Sequence, residues 1–460
     1  MRRKSSMAQS EIMKIRRQVL KSALDWVSHD QNRKDRATLA RQIIPDGTPR
    51  YRCCIHKERA VIEERLKAVL EPDEGPIVRV LKEGCNGCEM HRYSVTDHCQ
   101  NCVGHFCFTN CPKKAILFIN NKAFIDQTRC VECGLCARNC PYHAIIEYRR
   151  PCEDSCPTKA ISVREDRIAS IAEAHCTSCG KCIISCPFGA VAESSQLIHL
   201  FEAVRNPEHK IYAVIAPAFV GQFGRKVSPG QVKSALLKLG FQDALEAALG
   251  ADRTIELEAR EYDERLAHGE EFMTSSCCPA YVSAVIKEKP DLFHHISSTL
   301  SPMAQVAHIL KEKDPEAKIA FIGPCVAKKE EGKRPETKVD FVLTFEELMV
   351  WLDYAGINPA EESEQTLAGP SSYARGFAKA GGVAAALTAY LGQDSPPTYQ
   401  TEGIQNSLKA LETHVKNGDK GFLECMACEG GCINGPWTMI ARPIAERALK
   451  EFVQSTAAQQ

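Results

Sequence analysis

The sequence predicts an α/β region over 205–460, preceded by a cysteine-rich α+β region over 81–200 and a helical stretch over 1–80. Three observations carry this division. Short apolar runs alternate with helical periodicity in the last region, Cys-Pro recurs in the middle one, and apolar residues fall at three- and four-residue intervals in the first. The compositional outlier is cysteine, with 24 among 460 residues.

In the first stretch Ile12, Ile15, Val19, Leu20, Leu24 and Val27 keep helical spacing, as do apolar residues from Val61 to Leu70. An amphipathic helix pair packed on its neighbours is expected. The adjacent Cys53-Cys54 lacks ligand spacing and reads as a non-ligand pair. Four repeat units follow: Cys111-Pro…Ala115-Ile116, Cys140-Pro…Ala144-Ile145, Cys156-Pro…Ala160-Ile161 and Cys186-Pro…Ala190-Val191. Their intervals of 29, 16 and 30 residues make two pairs. Beyond them, Tyr212 to Ala216 and Lys318 to Gly323 read as buried strands. Val232 to Leu239, Ser283 to Lys289, Phe345 to Asp353 and Gly381 to Leu391 read as helices, and Glu361 to Pro370 and Gly392 to Gly403 as polar, turn-rich connections.

Charge is balanced at 58 basic and 58 acidic residues, which gives no preference for nucleic acid or an acidic membrane. No apolar run approaches the roughly 20 residues of a spanning helix. No apolar leader follows Met1-Arg-Arg-Lys, and Arg2-Arg3 lacks the apolar stretch of an export signal. The cysteines cluster at metal-ligand spacing rather than as a disulfide framework, so a soluble protein of a reducing cytoplasm is expected.

Cys130-x2-Cys133-x2-Cys136-x3-Cys140-Pro and Cys176-x2-Cys179-x2-Cys182-x3-Cys186-Pro match the bacterial ferredoxin run. In that run three cysteines wrap one 4Fe–4S cluster and the fourth reaches the neighbouring one. Cys99-x2-Cys102-x4-Cys107-x3-Cys111-Pro is a variant with a longer loop. Exchange of fourth ligands predicts clusters on Cys99, Cys102, Cys107 and Cys140; on Cys130, Cys133, Cys136 and Cys111; and on Cys176, Cys179, Cys182 and Cys156. Cys85, Cys88, Cys152 and Cys186 remain. They complete a fourth cluster if the 99–140 pair is an insertion between Cys88 and Cys152; otherwise Cys85 and Cys88 are surface thiols without a role.

Three late segments carry the remaining chemistry: Thr274-Ser-Ser-Cys-Cys-Pro-Ala-Tyr281, Gly323-Pro-Cys-Val-Ala-Lys-Lys-Glu-Glu331 and Glu424-Cys-Met-Ala-Cys-Glu-Gly-Gly-Cys432. Four thiolates suffice for one cube, yet six cysteines are present with a lysine and a methionine. The segments resemble the signature motifs of the FeFe hydrogenases. That resemblance implies a two-lobed α/β catalytic domain behind ferredoxin-like domains, and an H-cluster: a 4Fe–4S cube joined to a two-iron subsite with CO, cyanide and a dithiolate bridge. It places the cube on Cys278, Cys325, Cys428 and Cys432, with Cys432 as the bridge. It makes Cys277 a proton-transfer thiol in a polar pocket, Lys328 a donor to a cyanide ligand and Met426 a wall of the subsite. Ala216-Pro217-Ala218 packs near the bridge.

The same resemblance places a proton relay on Glu258, Glu261 and Ser297, passing from Cys277 to Glu261, Ser297 and Glu258. By residue type alone these are solvated helix charges and a capping serine. Gly323, Tyr281, Met303, the serine at 275 or 276, and Ile-Asn-Gly-Pro after Cys432 depart from the family pattern. These departures bear on bias, oxygen tolerance and rate rather than on the ligand set. The implied activity interconverts hydrogen with two protons and two electrons. The implied partners are a ferredoxin or similar low-potential carrier and maturation proteins that deliver the two-iron unit. The alternatives are a non-catalytic relative serving iron–sulfur assembly and a hydrogen-sensing member.

Overall fold

Residues 11–29, 35–71, 75–86, 88, 91–367 and 369–457 are described by a computed structural model of the chain. Helices Glu11–His29 and Ile55–Leu70 form where the apolar period predicts, Arg36–Ile43 is a further helix between them, and Arg2-Arg3 lies outside the described residues. Their buried faces, including Val19, Leu24, Ile62 and Leu66, enter the same core as Leu197, Leu200, Val342 and Leu348 of the α/β region. Arg16 fastens this packing. It pairs with Glu193 at 2.7 Å and Glu346 at 3.0 Å, and lies 4.0 Å from the Trp437 ring centroid. Among the described residues no helix is long and apolar enough to cross a membrane.

The cysteine-rich region consists of two ferredoxin-like units, one nested in the other. In the outer frame Val78–Val80 pairs antiparallel with Val191–Glu193, and Ile161–Val163 forms a hairpin with Ala169–Ile171. Within it, Tyr93–Val95 pairs with Ile145–Glu147, and Ile116–Ile119 with Lys122–Ile125. The 91–150 unit is thus inserted in the chain between Cys88 and Cys152.

Two parallel sheets form the α/β region. One has the order Asp243–Glu246, Ile211–Ile215, Lys318–Gly323, Phe341–Thr344; the other has Phe272–Thr274, Gly421–Met426, Thr398–Glu402. Thr398–Glu402 corrects the expectation that 392–403 is wholly a connection. Its polar side chains are partly exposed along an edge strand, so main-chain pairing to the buried Gly421–Met426 specifies it rather than an apolar face. Helices cover the parallel strands. Phe345–Tyr354 starts at a capping box in which Thr344 and Glu347 satisfy each other's backbone.

Glu347 also binds the two halves of the molecule together. Fully buried, it accepts from Lys329 Nζ at 2.8 and 2.9 Å and from Ser195 Oγ at 2.5 Å, while Lys329 also donates to the Ser194 carbonyl at 2.9 Å. The network joins the end of the cysteine-rich region to the four-stranded sheet. Lys329→Ala leaves a buried carboxylate unpaired and is expected to cost about 3–5 kcal/mol, read as a lower midpoint of chemical denaturation. An unchanged midpoint would show that the network does not hold this junction.

Candidate active site and metal centres

Strands Ile211–Ile215, Phe272–Thr274, Lys318–Gly323 and Gly421–Met426 all deliver their C-terminal ends to one crevice between the two sheets, where open parallel sheets place their ligands. The residues that follow them line a cavity of about 90 Å³: Ala216 and Pro217, Cys277 and Cys278, Pro324 and Cys325, Met426 and Cys428, with Cys432, Lys328 and Met303 completing the wall. Three segments separated along the chain are thereby brought together.

Local backbone features hold the sulfurs in place. Cys278 precedes helix Pro279–Glu288, and its Sγ accepts the Ala427 N–H at 3.4 Å. Gly430 and Gly431 turn the chain into Cys432 with φ of 90° and 81°. A Cβ on Gly431 would stand 2.6 Å from the Ala380 nitrogen, so both conformation and space require glycine there. Burial, and then the neighbouring Cys432 or Cys278, pushes the Cys325 and Cys432 thiols up to about 12. Cys278 and Cys428 shift the same way, chiefly through burial. Bare, these four remain thiols; positive metal charge is what would hold them as thiolates. Among the described residues no three His, Cys, Asp or Glu side chains are grouped as for a single metal ion. A cube spreads its ligands over several irons, and four converging soft sulfur donors in a dry cavity fit that group.

Lys328 is buried beside these sulfurs. Its Nζ donates to Ser301 Oγ at 2.8 Å and the Cys277 carbonyl at 3.4 Å, and pairs with Glu331 at 2.6 Å. Burial works against its charge, but Glu331, Cys325 and Cys277 together hold its pKa above the ordinary value. Gly323 leaves no gap. A Cβ there would come within 2.7 Å of the Phe321 ring and 3.1 Å of Ala216 Cβ, so Phe321 fills the space.

Cys277 sits in an apolar wall rather than the polar pocket expected. Burial, followed by the nearby Glu258, raises its pKa well above the ordinary thiol value, so it stands as a neutral thiol. Glu258 is wholly buried; its Oε1 accepts from Ser276 N at 3.1 Å and Ser276 Oγ at 3.2 Å, and burial pushes its pKa up to about 7. Ser297 lies beside Glu258, whose Oε2 has no hydrogen-bond partner among the described residues, and donates to Glu261 Oε2 at 2.6 Å. Glu261 in turn pairs with Arg265 at 2.7 Å, and Arg265 reaches the His294 carbonyl at 2.6 Å near the surface. The spatial order is Cys277, Glu258, Ser297, Glu261. It reverses the two glutamates relative to the sequence expectation, because helix Ala248–Ala267 meets the cavity at its N-terminal end, where Ala251 lines the wall.

Sequence reasoning missed Ser276 as the bond to Glu258, Ser301 and Glu331 as the partners of Lys328, and Glu424. Glu424 is buried, accepts from Gly381 N and Ala384 N at 2.8 and 2.9 Å, and is pushed up to about 6 by burial. Glu331, Ser276 and Glu424 lie inside the three motif segments, which was the available signal. Ser301 has none. Cys425 points away from the cavity toward Tyr281 and Ser407 and remains a thiol.

The other cysteines gather into four groups. Cys107 feels Cys140 and Cys102, with Cys99 in the same small core. Cys136 feels Cys130, Cys111 and Cys133; Cys182 feels Cys179, Cys176 and Cys156; and Cys152 feels Cys186, Cys85 and Cys88. Burial is the larger cause of the raised pKa of Cys107, Cys136, Cys182 and Cys152. The Cys-Pro repeat has a conformational basis. Lys114, His143, Lys159 and Gly189, three residues after each cysteine, adopt φ between 48° and 56°. That turn aims the next N–H at the sulfur: Ala115, Ala144, Ala160 and Ala190 donate to Cys111, Cys140, Cys156 and Cys186 at 3.2–3.3 Å. Cys179 neighbours Cys428, and Cys152 neighbours Cys182, so these two groups form a succession ending at the cavity, with the groups of the inserted unit lying between Cys88 and Cys152 in the chain. Exposed Cys53 hydrogen-bonds Cys54 at the start of Ile55–Leu70, apart from this succession.

Residues 209–436 match the family described as iron only hydrogenase large subunit, C-terminal domain. Residues 123–146 match a 4Fe-4S binding domain, and 146–197 an LdpA Fe-S cluster-binding domain. Iron hydrogenase 1 of Clostridium pasteurianum is 29% identical over 370 residues, covering 68% of this chain and 64% of that protein, so the chain spans just under two thirds of that relative. The periplasmic [Fe] hydrogenase large subunit of Nitratidesulfovibrio vulgaris is also 29% identical over 370 residues, covering 68% and 85%. Cytosolic Fe-S cluster assembly factor NAR1 of Kluyveromyces lactis is 34% identical over 91 residues, 19% of each chain.

The raised pKa of Glu258 has a signed consequence. Below 4.5 both folded and unfolded chains hold this proton; between about 4.5 and about 7 only the folded chain does, so this group lowers folding stability as pH rises through that window. Glu258→Gln removes the term. Relative to the parent, the variant should gain on the order of 2–3 kcal/mol between pH 4.5 and 7 and nothing further above it. Parallel pH profiles of unfolding for the two proteins would contradict the buried protonated acid.

Proposed function

We propose, on the premise that this chain is an iron-only-hydrogenase-like protein with 4Fe–4S domains, that it is an FeFe hydrogenase interconverting hydrogen with two protons and two electrons. One observation carries the reading: Cys278, Cys325, Cys428 and Cys432 converge on a single apolar cavity that also presents Cys277, Lys328 and Met426, with Glu258 buried beside it and the Ser297–Glu261 pair beyond. Under this proposal the four cysteines hold the cube of an H-cluster, with Cys432 as the bridge to the two-iron unit. When bound, that group supplies heterolytic cleavage of dihydrogen and takes up its two electrons.

The protein's own groups do the rest. Lys328 keeps its charge through Glu331 and donates to an anionic ligand of the cluster, as a fixed cation in a dry site does most strongly. Met426 and the apolar wall exclude water. Cys277 holds a proton without ionising and passes it toward Glu258, whose pKa near neutrality lets it both accept and release. Ser297 hands the proton to Glu261, and Arg265 keeps that outer carboxylate charged at the exit. Electrons pass by way of Cys179 beside Cys428 and the four accessory cysteine groups, each proposed to hold one 4Fe–4S cluster. The carrier is a ferredoxin or similar low-potential protein. Maturation proteins supply the two-iron unit, and the thiol-rich chain works in the reducing cytoplasm.

The match to NAR1 supports a second reading, a non-catalytic assembly factor that keeps cubes alone. Such a protein has no use for Cys277, Lys328 and Met426 around an otherwise dry cavity. Infrared spectroscopy of the anaerobically matured chain separates the two. Bands of metal-bound CO and cyanide together with hydrogen turnover are expected; iron–sulfur spectra alone, with no gas exchanged, would select the assembly reading. Cys277→Ala should keep those bands and lose turnover by roughly 10²–10⁴-fold, and an active variant would remove Cys277 from the proton path. Ser297→Ala should slow turnover while leaving the bands and the ferredoxin affinity unchanged; parent-like rates would break the proposed Glu258–Ser297–Glu261 sequence.

A further inference from the structure

The inserted 91–150 unit is the least covered part of the molecule. Of the 17 large hydrophobic side chains exposed among the described residues, ten fall within these 60 positions. They are not scattered. In the hairpin Ile116–Ile119/Lys122–Ile125, Ile116, Ala123 and Ile125 are buried toward the cysteines, while Leu117 and its cross-strand partner Phe124 face outward at 41% and 52% exposure, with Ile119 beside them at 51%. The Cys102–Cys107 loop adds further exposed apolar side chains against the other face of the hairpin. His105 stacks on Phe118 at 4.0 Å, and Phe106 and the fully exposed Val103 lie on the same loop. An outward apolar face of this kind, formed by Leu117, Ile119 and Phe124, marks an interaction surface.

Charge identifies the kind of partner. The unit holds eight Lys and Arg against four Asp and Glu, a formal surplus of four in a chain whose total is zero. All four acids are already engaged: Asp97 by Lys122, Asp126 by Arg129, Glu132 by Arg167 and Glu147 by Arg92. Lys113 and Lys114 are exposed at the entrance to the hairpin, with no acidic partner among the described residues. An apolar centre with an unneutralised basic rim suits a transient, oppositely charged partner. Glu132 pairs with Arg167 of the outer frame, so the inserted unit abuts the unit whose Cys179 neighbours Cys428 of the cavity.

We infer that the outer face of the 91–150 hairpin is the docking surface for a small, acidic, one-electron carrier protein. The inference rests on the hydrogenase reading for the supply of electrons: each dihydrogen split releases two protons and two electrons, so two carriers dock in succession and each is reduced by one electron. The binding itself stands apart from turnover. With the cluster-loaded full chain and an acidic single-cluster ferredoxin as the probe, calorimetry should show binding that weakens as salt rises. Lys113→Glu/Lys114→Glu and Leu117→Glu/Phe124→Glu should each weaken it by about tenfold or more, with a matching rise in KM for ferredoxin and no change in viologen-linked hydrogen oxidation. The lysine variant changes only exposed side chains, so it decides the matter should the apolar variant fold poorly. Unchanged affinity in the lysine variant would overturn the docking surface, as would sedimentation showing that the face is buried between two copies of the chain. Normal, variant-sensitive binding without any gas turnover would leave the surface standing and remove the hydrogenase reading alone.

Discussion

Crowding sulfur ligands into an interior that water does not reach is the constraint on which the architecture depends. Burial and mutual repulsion both push Cys325 and Cys432 far toward the thiol form, and the same holds for Cys278 and Cys428. The protein alone compensates only in part, through backbone N–H groups such as that of Ala427 and through the charge of Lys328. A site of this kind gains its stability when metal enters. That explains why its walls are built on strand ends and glycine turns rather than on mobile loops. Four strands of two parallel sheets fix the approach of three distant segments, and Gly430-Gly431 fits the last sulfur against the backbone at Ala380.

From that cavity the polar chain and the cysteine succession leave through different walls. Glu258 and Glu261 share a face of one long helix, so the carboxyls lead outward beside Ser297 to Arg265. Sulfur leads the other way, from Cys428 to Cys179 and on to the nested units. Lys328 and Lys329, adjacent on the short helix Ala327–Glu331, divide between two tasks because successive helical residues do not share a face. The first pairs with Glu331 at the cavity; the second pairs with Glu347 and holds the cysteine-rich region against the sheet. The same turn of helix therefore fixes both the electrostatics of the site and the seat of its neighbouring cysteine group.

What could be read from the sequence was what local geometry dictates. The Cys-Pro-x-x-Ala repeat is visible because it is one turn made four times, with a left-handed residue aiming an amide at a sulfur. Lys318–Gly323 was legible as a continuous apolar run buried on both faces. The order of the two glutamates was not, since helical spacing shows a shared face but not which end of the helix meets the cavity. Ser301 escaped for a similar reason: it meets Lys328 only through the fold, 27 residues away. Thr398–Glu402 escaped because an edge strand held by main-chain pairing carries little apolar pattern.

Two of the positions expected to depart from the family pattern, Gly323 and Tyr281, are each closely fitted by their neighbours. Gly323 removes a side chain from the cavity wall, and Phe321, two residues back on the same strand, occupies the space. Tyr281 brings a hydroxyl into a position with no exposure at all, and that hydroxyl is satisfied by Thr274 Oγ1 at 3.1 Å, with Cys425 also turned toward it. A buried Tyr without such partners would carry the cost of an unmade hydrogen bond. Each change is therefore matched by a neighbour that keeps the wall closed and its polar atoms paired. These compensations preserve dryness but alter the dipoles around Cys278, which the Tyr281 hydroxyl approaches. Hydrogen bonding and burial around cluster sulfurs set reduction potential. Under the proposed function, Gly323 and Tyr281 would therefore bear on the potential of the bound cluster rather than on its ligand set.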